Sequence, residues 1–387
     1  MSKKNGFSLV SLVGSNQGDC GYCHQKDTSH TFGIWAHVLT CEDYQTLIDH
    51  GWRRSGHYLY KPNLERSCCP QYTIRLNAVE YKQTKSQRKV VNKLNRFLEG
   101  DWAPKDTNSM DTTSESDQKK ASKNHAKEPS QKHTLEVLLE PSSFTKEKYD
   151  LYCKYQTEIH KDEPSELKPE SFKRFLVESP LREEPFEDSK PGQGFGSFHQ
   201  KYILDGKLIA VAVLDILPKC VSSVYFFYDP QYAFLALGKY SALKEISLVQ
   251  DFQKTVSSEL KWYYMGFYIH TCPKMNYKGQ FQPSDLLDPK LYTWFPIQEC
   301  QKRLDKHRFV VFSDPDEHTP GDTPPGWLDV KSLKDSDLKN VHVLSDKGQL
   351  APVTASILWK RSLKFRQNIK EYVAAVGHTM AKRLLIC

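Results

Sequence analysis

The chain has 387 residues, 39% hydrophobic and 26% charged, with a formal net charge of +7 at pH 7. This balance describes a soluble globular protein large enough for two or three domains with real cores. It excludes a membrane-spanning helix, because no run approaches the roughly 18 apolar residues that a span requires.

Ten cysteines in a long chain without an opening charged-then-apolar signal segment read mainly as reduced thiols, so the cytosol, or also the nucleus, is the expected compartment. Cys41, Cys153, Cys220, Cys272, Cys300 and Cys387 show no framework spacing. The other four stand apart. After a weak apolar stretch, Phe7 to Val13, a polar turn carries Cys20-Gly-Tyr-Cys23, and Cys68-Cys69-Pro70 follows at a distance. Two close pairs can converge on one centre, and four thiolates suit tetrahedral zinc or an iron–sulfur cluster because soft sulfur donors favour both. A dithiol switch is the alternative, although that chemistry wants C-x-x-C in a strand–helix setting.

Between the pairs, Trp52, Arg53, Arg54, His57, Tyr58 and Tyr60 interleave aromatic and basic side chains. Tyr72 to Leu76 reads as a strand. Lys85, Arg88, Lys89, Lys93 and Arg96 recur at helical spacing, with Val90, Val91, Leu94, Phe97 and Leu98 left for the opposite face. The basic stripe is either a solvated helix face or a surface that tracks RNA phosphates. From Lys105 to Lys132 the composition turns to Asp, Ser, Thr, Lys, Glu and Asn, which predicts a disordered linker. Three units are therefore expected: residues 1–100, a linker at 101–132, and 133–387.

The second unit opens on a strand-like run, His133 to Glu140, followed by helical patterns over Phe144 to Ile159 and Ser171 to Val177. Gly196 to Leu204 and Lys207 to Ile216 flank Asp205-Gly206, a dipeptide suited to positive φ, and predict a hairpin. Leu208 to Leu214 is apolar on both faces and predicts a central buried strand. Val221 to Tyr228 is a third strand, Leu235 to Val249 a helix, Trp262 to His270 an aromatic strand, and Phe365 to Leu385 a final helix with Ile369, Tyr372, Val373, Val376 and Met380 on one side. This order describes an α+β chain: a small cysteine-rich amino-terminal module before an acetyltransferase-like (GNAT-type) mixed sheet, whose strands splay to admit an acyl donor. Coenzyme A enzymes of that fold need a glycine-rich loop whose amides bind pyrophosphate at the helix start. Here that stretch is Leu235-Ala-Leu-Gly238-Lys239-Tyr240, with one glycine, so no coenzyme A is expected and another activated acyl donor is implied.

Cys20-Gly-Tyr-Cys23, Gly51-Trp-Arg-Arg-Ser-Gly56, Cys68-Cys-Pro-Gln-Tyr-Thr-Ile-Arg75, Gly196-Ser-Phe-His-Gln200, Leu204-Asp-Gly-Lys207, Asp215-Ile-Leu-Pro218, Ser222-Ser-Val-Tyr225, Tyr228-Asp-Pro230 and Tyr264-Met-Gly-Phe-Tyr-Ile-His270 together resemble the eukaryotic arginyl-tRNA–protein transferases. The resemblance covers roughly 20–100 and 133–300. It implies transfer of arginine from Arg-tRNA to the α-amino group of proteins beginning with Asp, Glu or oxidised Cys, which feeds the N-degron ubiquitin–proteasome pathway. It further implies zinc or a 4Fe-4S cluster on Cys20, Cys23, Cys68 and Cys69, with protein and tRNA as partners; no membrane partner is expected from the absence of a long apolar run, and a monomer is expected.

An aminoacyl ester is already activated and an α-amino group titrates near pH 8, so positioning and oxyanion stabilisation should dominate over acid–base power. Candidates for handling the proton are His199, Gln200, Asp215, Tyr225 and Tyr228, each with a structural hydrogen bond as the competing role. An acidic amino-terminal residue needs a positive pocket, for which His270, Lys274 and Lys278 are candidates and an ordinary basic loop the alternative. Arg53, Arg54, Lys85, Arg88, Lys89, Lys93, Arg96 and Lys239 are the candidate tRNA contacts, with Lys244 beside Lys239. Two rival functions remain at this stage: a leucyl-type transferase sharing the core motifs, and a noncatalytic tRNA-binding or redox-sensing protein.

Overall fold

Alternation sets the first ribbon: Ile34 and Ala36 are buried, as is Phe32 before them, while Trp35 and His37, next to Ala36 on either side, are exposed, as a strand with one covered face requires. The computed structural model describes residues 6–104, 132–187, 192–315, 321–344 and 348–387; the linker expected at 101–132 lies, over 105–131, outside the described residues. The strands in chain order are β1 (Ser8–Gly18), β2 (Ser29–Val38), β3 (Arg53–Ser55), β4 (Tyr58–Pro62), β5 (Tyr72–Asn77), β6 (Leu135–Pro141), β7 (Glu184–Pro185), β8 (Gly194–Leu204), β9 (Lys207–Ile216), β10 (Cys220–Tyr228), β11 (Trp262–Tyr268), β12 (Ser284–Leu287), β13 (Trp294–Pro296), β14 (His342–Leu344), β15 (Leu350–Pro352) and β16 (Leu384–Ile386). The helices are α1 (Cys41–Ile48), α2 (Lys85–Leu98), α3 (Lys146–Tyr155), α4 (Pro169–Phe172), α5 (Leu237–Thr255), α6 (Pro273–Asn276), α7 (Ile297–Leu304), α8 (Ile357–Arg361) and α9 (Leu363–Arg383).

These elements form two mixed sheets, an α+β arrangement. The first runs β15-β14-β16-β1-β2-β4-β3 and the second β13-β12-β5-β11-β10-β9-β8-β6, with β7 pairing to β8. The hairpin β8–β9 turns at Asp205 and Gly206, both at positive φ (50° and 80°), and Leu208 to Leu214 is buried throughout, as the sequence predicts. On the second sheet α2 (Leu94, Phe97), α5 (Leu243, Ile246, Val249) and α7 (Ile297, Leu304) build one core; α1 and α9 bury Leu47, Tyr372 and Val373 in the other. Among the described residues no helix is long and apolar enough to cross a membrane.

The sheets do not follow the division expected at 101–132. β5, from the first hundred residues, lies between β11 and β12 in the second sheet, and β16 pairs in parallel with β1 in the first. Tyr72, Ile74 and Leu76 on one face and Thr73 on the other are buried, so β5 goes where both its faces are covered rather than to its neighbours in sequence. The helix expected from Leu235 begins at Leu237, because a short turn over Pro230–Leu235 ends at Ala236 with φ +53°. α9 is broken at Gly377 (φ 80°, ψ 160°), a conformation that glycine adopts without strain.

Candidate active site and cysteine centre

β10 and β11 are parallel neighbours, yet they pair only over Cys220–Ser222 with Trp262–Tyr264. β10 then shifts register against β9 between Ser223 and Tyr225, and β11 against β5 between Tyr264 and Phe267. Bulges bend a strand and increase its twist, and Gly266, at φ +68°, sits in the second one. The two strands therefore part. The start of α5, strand β3 and the turn carrying Tyr22 close the gap around a cavity of about 290 Å³, with Arg53, Tyr60, Tyr225, Glu245 and Lys278 on its walls.

The cavity has a positive and an acidic wall. On the first, Arg53 donates from Nη1 to the carbonyls of Trp52 (2.7 Å) and Ile48 (3.4 Å) and from Nη2 to that of Gly266 (3.3 Å). Its guanidinium lies 5.1 Å from the Phe267 ring centre and 5.7 Å from that of Tyr264, and its buried Nε has no partner. Lys278 donates to the Phe267 carbonyl at 2.7 Å. Burial, with the Arg53 charge adding to it, pushes this amine down to about 7. On the α5 wall Glu245 is 1% exposed. It accepts hydrogen bonds from the Ser241 hydroxyl at Oε1 and from the Tyr263 hydroxyl at Oε2 (2.7 Å), and burial raises its carboxyl above the usual range despite them.

Of the candidates for chemistry, Tyr225 lines the cavity, with its hydroxyl donating to Gln156 at 2.8 Å. The others lie elsewhere. His199 is fully buried: Lys148 approaches Nδ1 at 3.0 Å and Nε2 faces the Leu176 carbonyl at 2.9 Å. With a lysine donating to Nδ1, the ring proton belongs on Nε2. Burial, then the Lys148 charge, lowers this histidine to about 4. Gln200 accepts from the Tyr202 hydroxyl at 2.8 Å, and Tyr228 packs 5.1 Å from Tyr155. Asp215 is fully buried in a bidentate pair with Arg54, 2.7 Å to both Nε and Nη2, and also accepts from Ser197.

Among the basic candidates Lys278 reaches the cavity, whereas His270 pairs with Asp305 at 2.9 Å and Lys274 is exposed. Arg53 and Arg54, expected to face tRNA, are each 6% exposed and are wall and tie instead. β3 is a three-residue strand at the seam of the two sheets, so its side chains point inward to β9 and β11. Lys85, Arg88, Lys89, Arg96 and Lys239 are exposed, and Lys93 is half-buried over Trp102 (4.5 Å). α2 itself is as expected, capped by Thr84 in a capping box with Gln87. The sequence reading missed Tyr22 and Glu245, and it put Tyr60 on an aromatic–basic surface rather than on the cavity wall. For Glu245 a signal exists: it shares the apolar side of α5 with Ala242, Ile246 and Val249, where an acid is out of place.

Cys20, Cys23, Cys68 and Cys69 converge, with all four sulfurs within 4.8 Å of one another and Cys23 Sγ 3.3 Å from Cys68 Sγ. A tetrahedron of about 2.3 Å metal–sulfur bonds spaces its sulfurs by about 3.8 Å, which falls inside that bound. Burial raises the Cys20 thiol, but the backbone amides of Cys23 and Tyr22 and the neighbouring thiols outweigh it and bring the group to about 7, so a metal displaces that proton readily. Thr28 donates to Cys68 Sγ at 3.0 Å. Cys20 and Cys69 pack on Ile269, with Tyr22, Cys272 and Met275 around them. The centre thus abuts both the Tyr22 turn and the α6 segment that leads to Lys278.

Comparison with known proteins covers the same regions. A family model described as the N terminus of arginine-tRNA-protein transferase matches residues 18–89, and one described as its C terminus matches 147–288. The chain is 36% identical to arginyl-tRNA–protein transferase 1 of Drosophila melanogaster, across 98% of this chain and 99% of that one. It is 31% identical to the Saccharomyces cerevisiae protein of that name, across 76% and 64%, and 28% identical to the aspartate/glutamate leucyltransferase of Pseudomonas aeruginosa, across 69% and 89%.

Proposed function

The chain belongs to the arginyl-tRNA–protein transferase family, a family of aminoacyltransferases, and on that footing we propose that it transfers arginine from Arg-tRNA to the α-amino group of proteins beginning with Asp, Glu or oxidised Cys. The observation that carries the acceptor half is the paired cation wall. Arg53 has a buried nitrogen without a partner and Lys278 lines the same cavity, so an entering carboxylate finds two charged donors where an uncharged side chain finds none.

In this reading the fold is acetyltransferase-like. The hairpin β8–β9, β10, α5 and β11 follow in the expected order, and the parting of β10 from β11 is the opening for the acyl donor. The peptide amine, neutral in part near pH 8, attacks the ester carbonyl carbon. The C–N bond forms, the bond to the ribose oxygen breaks, and the surplus amine proton passes to that oxygen. Beyond Ser222, β11 offers β10 no ladder partner, so the Ser223–Tyr225 backbone is available to stabilise the developing oxyanion. We assign the proton relay to Tyr225, the one proton-handling candidate that lines the cavity, whose hydroxyl would leave Gln156 to reach the departing oxygen. The one-glycine start of α5 fits a donor other than coenzyme A, with Lys239 and Lys244 near the acceptor-stem phosphates and the α2 stripe along the tRNA body.

Cys20, Cys23, Cys68 and Cys69 would hold zinc or a 4Fe-4S cluster; four thiolates suit either, and their spacing within 4.8 Å fits a single tetrahedral ion, whereas a cluster would need them spread further apart. Zinc supplies a rigid cross-link, and a cluster adds oxygen sensitivity. The residues the centre braces are Tyr22, on the cavity wall, and Met275, three residues before Lys278. Anaerobic purification with an absorption spectrum and metal analysis separates the two. We assign the protein to the cytoplasm, or also the nucleus, as a monomer feeding the N-degron pathway.

The deciding assay incubates the protein with labelled Arg-tRNA or Leu-tRNA and peptides beginning Asp, Glu or Ala. Label from Arg-tRNA on the acidic-start peptides alone is expected. Label from Leu-tRNA would support the leucyl-type reading instead, and no transfer with or without oxygen would leave a noncatalytic tRNA-binding protein.

A further inference from the structure

Transfer of arginine joins two side chains of opposite sign, and the cation wall can hold only the acidic one. Arg53 and Lys278 repel a guanidinium, so the donor's side chain needs a different wall. Glu245 is the one acidic residue among the described residues that line the cavity, and it makes no ion pair among the described residues. Hydroxyls of Ser241, Tyr263 and Ser223 serve it, three donors against the about four positions that a carboxylate offers. All three are uncharged, and a guanidinium fork with two parallel N–H donors takes the free position and displaces the Ser223 hydroxyl from another.

The approach to this carboxylate is shaped by α5. Gly238, Ser241, Ala242 and Glu245 all line the cavity, and their spacing of three, four and seven residues places them on one helix face. Small side chains on the first two turns leave a trough ending at the acid, about 10 Å along the axis from Gly238 at 1.5 Å per residue. An arginine stem fills such a trough, and a side chain with no long stem stops short of the acid. Burial of a carboxyl group without a counter-ion is costly, and the molecule carries that cost at the one place on the cavity wall where a cation would relieve it.

We propose that Glu245 binds the guanidinium of the arginine carried by the donor tRNA and is the residue that selects arginine over uncharged amino acids. The assignment rests on the reading above that the donor is Arg-tRNA, and it makes the cavity a dipolar site: donor side chain on α5, acceptor side chain on Arg53 and Lys278.

The test uses one tRNA body charged either with arginine or with citrulline, which replaces the guanidinium by an uncharged urea of the same shape. The wild-type protein should prefer arginine by about 100-fold or more in kcat/KM, the scale at which an unmatched buried polar group rejects an analogue. Glu245→Gln should bring the two donors to within about fivefold of each other, by losing arginine transfer while keeping citrulline transfer. An unchanged preference in the variant, or equal loss with both donors at a native melting temperature, would overturn the proposal while leaving the transferase reading intact. Failure of the wild type to use Arg-tRNA would remove the transferase reading and this one with it. Should the variant not fold, the wild type decides alone. Adenosine carrying arginine through a non-hydrolysable 3′-amide should bind at least about 30-fold tighter than its citrulline counterpart, and equal affinity refutes the assignment.

Discussion

Replacing Lys278 by methionine while pH is varied tests the cation wall in a way that a single activity loss does not. In the empty cavity this amine is held at about 7, against an ordinary 10.5, a difference that corresponds to about 5 kcal/mol against charging it. A carboxylate arriving from the acceptor repays part of that cost only when Lys278 carries its proton. Because kcat/KM follows the free enzyme, the advantage that Lys278 confers should be full below pH 7 and fall about tenfold per pH unit above it. The peptide α-amine also titrates near 8, but it does so identically for both proteins, so the ratio of wild-type to Lys278→Met kcat/KM removes it. With an Asp-start peptide and Arg-tRNA held well below its KM, that ratio should be about 100 at pH 6.5, the usual scale for losing one partner of a buried charge pair, and near 10 at pH 8. A ratio that stays constant from pH 6.5 to 8.5 would refute the reasoning, and a ratio near unity throughout would remove Lys278 from the acceptor site.

Asp215→Asn should lower the free energy of urea unfolding by about 3–5 kcal/mol, because it strands the buried Arg54 charge, and a loss below about 1 kcal/mol would show that the pair is not a structural tie. His199, ordinarily near 6.5 and here about 4, binds its proton more readily when unfolded, so stability is full above pH 6.5 and falls as pH drops towards 4. From pH 6.5 to 5 the loss from this group is about 2 kcal/mol; His199→Gln should flatten that part of the pH profile, and parallel profiles would contradict the buried neutral ring. On α2, Lys89→Ala and Arg96→Ala should each reduce the salt dependence of tRNA binding by about one in the log–log slope. Identical slopes would return the stripe to an ordinary solvated face.

How much was legible in the sequence depended on the range of the interaction that decides each feature. The Asp205-Gly206 hairpin, the α2 stripe and the all-apolar run of β9 are settled by neighbours within a few residues, and periodicity shows them. The cysteine centre was legible from pairwise spacing and thiol chemistry. Arg53 and Arg54 misled because aromatic–basic interleaving looks alike on a nucleic-acid surface and at a seam between sheets. Only the partners Asp215 and Gly266, far along the chain, tell the two apart. His199 and Asp215 sit in motifs that suggest chemistry, but they bond to the Leu176 carbonyl, Lys148 and Arg54 and brace the walls from behind. Glu245 was overlooked because Lys244-Glu245 reads as a charged pair on a solvated helix; its position on the buried side emerges when α5 is laid against β10 and β11.

The parallel pairing of β16 with β1, Ser8 opposite Leu384, has a consequence for biosynthesis. A ribosome makes β16 only after all the other strands named above, so β1 keeps one open hydrogen-bonding edge until they have emerged. β5 waits as well, until β11 and β12 emerge to flank it. β1 can pair with β2, and β2 with β4, as soon as they are made, but Cys20 and Cys69 lack Ile269, on which they pack, until the chain has passed β11, so the newly made chain holds its thiols more open to oxidants than the folded protein does. Slow folding is expected too, since contacts this distant in sequence have a high closure cost. Metal that reaches the thiols during this interval would staple the first turn before its sheet is complete.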